Sequence, residues 1–408
     1  MPALPAPALP TNRDENWRYA NLRPLARARP EPVASDDHAG GLELPPPLPG
    51  HERWVFVDGR FNALLSTPAP HSCASLLSAR AAGQAFDDML DAALASEGVD
   101  FSLARLNGAR GDQVLQIAPA DGASAALELT FIASGAASAG TSYPRVQVHA
   151  GRGAHLHIVE RHVSAGQSDS AVNACFDVAL RADAVLDHSR LQNCSATAAC
   201  FDTLTAHVGE RATYRLRSVA LGGVSSRSTL MIRLAGRGAR CEYTAASVAV
   251  GTQTHDVFAE IAHVAPETVT RELFRGIATG RGKLGFNGKM VVAASAPGAD
   301  SEQSLKNLLT GSGAEAAVRP QLEIYTDRVR AVHGATTGKL DDQMLFYLLS
   351  RGIDRASAQA LLQWAFIEDA VSRVDCAGLR EEAETLIAAR LNDVSALGNV
   401  TGALKASP

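Results

Sequence analysis

The sequence predicts a mainly β protein with a parallel β-helix core, a solenoid, flanked by helical regions at its N- and C-terminal ends. Three observations predict it. First, "GRGAHLHI" (151–158), "LRADAVLDH" (180–188), "GERATYRL" (209–216) and "GRGARCEY" (236–243) align on Ala154, Ala184, Ala212 and Ala239, at separations of 30, 28 and 27 residues. Second, each alanine is followed by alternation. Leu156, Leu186, Tyr214 and Cys241 stand two positions on, and Ile158, His188, Leu216 and Tyr243 four positions on, which is a turn and then a strand. Third, aromatics make up only 5% of the chain while glycine is abundant at 34 residues, a composition suited to closely stacked backbone layers. A sandwich also has short alternating strands, but nothing in it requires the same small-residue turn at a nearly fixed interval. A solenoid does require it, because a small residue at each corner lets successive coils approach.

Along the chain, residues 1–110 read as an N-terminal arm and helical region with a short hairpin. The first 50 residues hold many of the prolines, including "LPPPLPG" (44–50), and read as an extended arm ordered around Trp17 and Tyr19 and lying on another surface. "RWVFVDGRFNALLS" (53–66) carries an Asp58-Gly59 dipeptide between two apolar runs, a hairpin signal. Residues 74–106 place Ala, Leu and Met at helical spacing. Residues 111–335 form the β-helix, on the order of eight to ten coils, with handedness not legible from the pattern. Residues 336–408 form a C-terminal helical domain. "LDDQMLFYLLSRGI" presents Met344, Leu345, Leu348 and Leu349 on one face and stops at Gly352; helices at 354–371, capped by Asp354 or Ser357, and at 379–394 follow.

At 408 residues the chain is long enough for two or three domains or one elongated one. A net charge of -5 and a pI near 6.2 give no general basic surface for nucleic acid or an anionic membrane. The six cysteines (73, 175, 194, 200, 241 and 376) form no CxxC pair. With no secretory leader and no apolar run of membrane-spanning length, they predict reduced thiols in a cytoplasmic protein.

Local chemistry is sparse. "GRGKLGFNGK" (280–289) lacks the Lys-Ser/Thr that a phosphate-binding loop needs after its last glycine, so coil turns account for it. His155 and His157 alternate on one strand without an acidic or thiolate partner at ligand spacing and read as solvated. His188, at an inward repeat position, reads as a satisfied core histidine. Neither a nucleophile elbow nor a paired-carboxylate motif stands out. On its surroundings alone, His333 in "HGAT" is a turn residue at the end of the solenoid.

The segment "PQLEIYTDRVRAVHGATTGKLDDQMLFYLLSRGI" (320–353) resembles the end of the SufB/SufD family of iron–sulfur cluster assembly scaffolds, and its "HGAT-x-G-x-LD" form is nearer the SufD branch. "ENWRYANL" (15–22), "VFVDGRF" (55–61), "LFRGIATGRGKLGFNGKMVV" (273–292) and "QSLKNLL" (303–309) follow in family order, so the resemblance covers most of the chain. It implies a right-handed β-helix that pairs with SufB, C-terminal helices that dock the ATPase SufC, and a non-enzymatic role in nascent cluster assembly and iron acquisition. It further implies that His333 lies at the SufB interface as a transient iron–sulfur ligand shared with SufB. No cofactor is permanently bound on this reading, and a reduced flavin on the complex as electron donor is left open. The residues picked for SufC docking are Leu345, Phe346, Tyr347, Arg351 and Gly352, with the helix at 357–371; the rival use of that apolar stripe is to cap the open end of the solenoid. Many SufD sequences carry Lys-Cys-Ser before the histidine, whereas here Arg330, Ala331 and Val332 stand there, so a thiolate two residues upstream is missing. Cys376 is a substitute only if the fold brings it near. Free strand edges also predict a homodimer when SufB is absent.

Two rival readings keep the fold. A β-helix lyase or hydrolase acting on polysaccharide needs clustered carboxylates and stacking aromatics on one strand face, and the repeats show neither. An assembly platform unrelated to iron–sulfur chemistry keeps the solenoid and discards the role of His333.

Overall fold

The computed structural model describes residues 9–27, 31–32, 44–79, 101–135, 140–166, 169 and 171–391. Their architecture is a parallel β-solenoid of about seven turns with helices at both termini. The number is below the eight to ten expected, because each turn consumes two strands of about ten residues and two corners.

Two sheets enclose the core. The first runs in space through Arg60–Phe61, Glu52–Val57, Ser124–Ala133, His155–Ser164, Val185–Asn193, Thr213–Ala220, Arg240–Ala249, Val269–Ala278, Ala299–Leu309 and Val329–Gly338. The second runs through Ala74–Ser78, Gln113–Ile117, Arg145–Ala150, Ala171–Leu180, Ala199–Val208, Ser225–Leu234, Thr254–His263, Lys283–Val292 and Glu315–Ile324. The chain alternates between them, so neighbours in each sheet are parallel and in register. Inward side chains therefore stack in columns one strand spacing, about 4.8 Å, apart.

The aligned alanines occupy the corners. Ala154, Ala184, Ala212 and Ala239 are fully buried, and each follows a residue in the left-handed region: Gly153, Asp183, Arg211 and Gly238. Asp183 and Arg211 bear that conformation without being glycine and are joined to each other, Nε to Oδ1 at 2.7 Å and Nη2 to Oδ2 at 2.8 Å. Inside, Leu, Ile, Val and a few aromatics such as Phe176, Phe274 and Phe286 form one continuous cluster.

At the N-terminal end both sheets are closed by antiparallel strands. Glu52–Val57 and Arg60–Phe61 form the expected hairpin, with Asp58 at φ 50° and Gly59 at φ 85°, the signs a tight two-residue hairpin turn requires. The expected helix from residue 74 is corrected. Ala74–Ser78 is a strand paired antiparallel with Gln113–Ile117, where satisfying the sheet edge outweighs local helical spacing. Ser102–Arg110 is helical, and residues 80–100 lie outside the described residues.

The outer faces are covered unequally. On the second sheet, Trp17, Leu22, Leu25 and Leu103 pack with Ala171, Ala199 and Phe201, and the Arg227 guanidinium lies 3.9 Å from the Trp17 ring centroid. The arm thus lies on the solenoid. On the first sheet, Val159, Leu191, Val219, Val248 and Ile277 meet Trp364, Ile367, Ala370, Leu379 and Ile387 of the helices Arg355–Val371 and Ala377–Arg390. At about 1.5–3 kcal/mol for each fully buried aliphatic, this contact fixes the C-terminal helices along the side of the solenoid. It leaves the last coil uncovered.

Candidate functional site

The last strand of the first sheet, Val329–Gly338, pairs on one side with Ala299–Leu309 and presents its other edge to solvent. Eight of its ten residues are exposed, His333 among them. Glu315–Ile324 ends the second sheet in the same way. Ile324, Tyr325 and Val332 add exposed apolar surface there, so among the described residues the open end of the solenoid is both unpaired and partly apolar.

His333 terminates an inward column. It stands opposite Gln303, Gln303 opposite Glu272, and Glu272 opposite Tyr243. Gln303 Nε2 donates to Glu272 Oε2. Glu272 is buried, and that burial raises its carboxyl to about 7, against a smaller opposing effect of Gln303. Ser301 precedes Gln303 along the inward face and Asn307 follows it beyond Leu305, and all three polar residues are buried. Ser301 Oγ, Gln303 Oε1, both Asn307 amide atoms and Glu272 Oε1 have no hydrogen-bond partner among the described residues. A run of unmet polar groups directly beneath an open coil is unusual in a protein interior. Beside it, Asp300 accepts from Arg271 at 2.8 Å and faces Arg330 at 3.4 Å, an outward ladder in which Arg271 holds the Asp300 carboxyl below its ordinary range.

The other sequence candidates fall elsewhere. His188 is buried, with Nε2 2.8 Å from Glu160 Oε2 and Nδ1 3.0 Å from the Tyr214 hydroxyl. Burial alone would raise Glu160, but Arg190, His162 and His188 outweigh it and hold the carboxyl well below the usual range. His188 is thus a satisfied core histidine. His155 is exposed, while His157 is partly covered, its Nδ1 2.9 Å from His51 Nε2. Lys283–Val292 is a coil strand preceded by a corner at Gly280. Cys376 is buried at the start of Ala377–Arg390, within the apolar cluster between helices and solenoid, so it does not replace the missing thiolate. Among the described residues no group of three or more His, Cys, Asp or Glu side chains could hold a metal ion, and no helix is long and apolar enough to cross a membrane.

The helix Asp342–Ser350 is capped by Asp341, which accepts from Gln343 N at 2.8 Å and Met344 N at 3.1 Å. Gly352 stops it at φ 82°, as its C′ reading requires. Met344, Phe346 and Tyr347 are exposed, Phe346 to 71%, and the Arg351 guanidinium lies 5.2 Å from the Tyr347 ring. Leu345, picked with them, is buried and belongs to the fold's own packing. Met344, Phe346 and Tyr347 are thus left free of the fold's own packing.

A family model described as SUF system FeS cluster assembly, SufBD core domain, matches residues 131–366. The iron–sulfur cluster assembly protein SufD of Escherichia coli is 29% identical over 387 residues, 94% of this chain and 89% of that one. An iron–sulfur cluster assembly SufBD family protein of Synechocystis is 26% identical over 94% of this chain and 87% of its own. Protein ABCI7, chloroplastic, of Arabidopsis thaliana is 28% identical over 59% of this chain and 51% of its own.

Proposed function

We propose that this chain, which belongs to the SufBD family of SUF-system iron–sulfur cluster assembly, is a non-enzymatic scaffold subunit that pairs through its open coil with SufB and docks the ATPase SufC on the helix Asp342–Ser350. Family membership carries a role in iron–sulfur cluster assembly. The observation that supports the finer reading is the exposed, unpaired strand Val329–Gly338 with His333 in it. A second solenoid with a free edge completes that ladder by backbone pairing, and His333 then lies in the seam. A neutral imidazole there is a suitable ligand for iron delivered as cargo, in a site neither chain completes alone.

With Ala331 two residues upstream, thiolate ligands come from the partner. The buried carboxylates Glu128, Glu160, Asp177, Asp256 and Glu272 are engaged inside the fold, which argues against a polysaccharide-cleaving face. All six cysteines are free thiols, in keeping with work in the cytoplasm.

The test is anaerobic co-expression with SufB and SufC, comparing the native chain with His333→Ala. The complex is expected to assemble in both cases and to lose cluster formation in the variant. Full cluster yield from the variant, or an unfolded variant, returns His333 to a structural role.

A further inference from the structure

Gln303 and His333 stand on adjacent rungs of one ladder, the first buried and the second exposed. Gln303 is 2% exposed, yet its Oε1 has no partner, a state that costs about 1–3 kcal/mol for a buried acceptor. One end of the amide is engaged. Its Nε2 donates to Glu272 Oε2, so the carbonyl oxygen is the end left over, and the next side chain along the column is His333.

The opposite wall makes room for this amide. Gly288, between Phe286 and Met290 in the second sheet, has no side chain, and a β-carbon there would collide with Gln303 Nε2. The other inward polar residues of the same strand stand under residues with no imidazole to orient: Ser301 pairs with Ala331 and Asn307 with Thr337.

We propose that Gln303, anchored by Glu272, is a positioning residue for His333: its carbonyl oxygen accepts the N–H of one imidazole nitrogen and leaves the other nitrogen free to face out of the open coil toward iron. This rests on the reading of His333 as an assembly-site residue. A ligating histidine ordinarily gives its second N–H to an oxygen acceptor, which fixes both tautomer and ring orientation. Side chains on adjacent strands about 4.8 Å apart are within reach of such a bond.

The experiment reads the tautomer directly. Full-length chain labelled with nitrogen-15 histidine is observed by long-range nitrogen–proton correlation at alkaline pH, the His333 signals being those absent from His333→Ala. The native chain is expected to show one dominant His333 tautomer. Gln303→Met, which removes the acceptor at nearly constant volume, is expected to give a mixture and to lower cluster formation in the co-expressed complex about 10-fold or more. Gln303→Asn, which withdraws the oxygen by one methylene, provides the same reading should the methionine variant not fold. Glu272→Gln, which can still accept from Gln303 Nε2, is expected to retain the native tautomer. An unchanged tautomer ratio in the folded Gln303 variants overturns the proposal. A shifted ratio together with full cluster yield in His333→Ala keeps the positioning and removes the assembly-site reading instead.

Discussion

Arg161 and Glu128 form an ion pair buried between the solenoid and its helical cover, Nη1 to Oε1 at 2.6 Å, with both side chains at most 2% exposed. Glu128 also accepts from Leu48 N at 2.9 Å, and Arg161 reaches Glu382 on the last helix at 2.8 Å. One guanidinium thus joins the solenoid to the helix Ala377–Arg390, over a carboxylate that also holds the proline-rich arm.

Removing one partner of a buried pair leaves the other charge uncompensated, at about 3–5 kcal/mol. Arg161→Met is expected to fall at the low end, about 3 kcal/mol, because Arg53 lies 3.5 Å from Glu128. Glu382 is 23% exposed, so Glu382→Gln should cost under about 1 kcal/mol. Chemical denaturation of both variants checks the order; equal costs would show that the outer half of the pair carries the docking.

Glu272 makes stability depend on pH. Its carboxyl is raised from 4.5 to about 7 by burial, so between those values the folded chain keeps a proton that the unfolded chain has released. Stability from this group is therefore fully present below about pH 4.5 and is lost as pH rises through 7, by about 3 kcal/mol in all. Glu272→Gln removes the dependence. Its melting temperature relative to the native chain should rise from pH 5 to pH 8, and a difference that stays flat over that range would contradict the shift.

Much of this was legible in the repeat. The column four residues after each corner alanine, Ile158, His188, Leu216 and Tyr243, continues through Glu272, Gln303 and His333, so the site histidine is the last member of a pattern visible in its first four. The continuation was hidden because the corner residue changes from alanine to Thr268 and the spacing lengthens to 31 residues between Glu272 and Gln303. The strand at Ala74–Ser78 was not legible. Its pairing with Gln113–Ile117 is a long-range contact, and alanine-rich local spacing points the other way. Nor could spacing separate Leu345 from Phe346, since which neighbour on a helix turns inward depends on where the helix docks.

That distinction is testable. Phe346 is 71% exposed and Leu345 6%, so Phe346→Glu should change stability by less than about 0.5 kcal/mol, while Leu345→Glu places a charge in packed surroundings and lowers the melting temperature. On the proposed reading, Phe346→Glu nevertheless loses the co-purified ATPase. Retention of the ATPase at native stoichiometry by Phe346→Glu would move the docking surface off this helix.

The open coil also predicts how the chain behaves on its own. Two unpaired edges, Val329–Gly338 and Glu315–Ile324, lie at one end, with Val332 52% and Tyr325 64% exposed beside them. Natural sheets protect such edges with charge, bulges or a covering element; here the helices that could cover them are held along the side of the solenoid by the cluster around Trp364 and Ile367. Pairing of two copies edge to edge satisfies the free backbone groups and buries the apolar residues, and a two-fold axis through the middle of the strand Val329–Gly338 sets Val332 close to its own equivalent. Val332→Lys is then the informative change. The position is exposed and contributes little to folding, yet in a symmetric pair it sets two like charges close together at the seam. Light scattering after size exclusion is expected to give the mass of a dimer for the native chain and of a monomer for Val332→Lys, which still unfolds cooperatively. A native chain that elutes as a monomer throughout an accessible concentration series rules out this pairing.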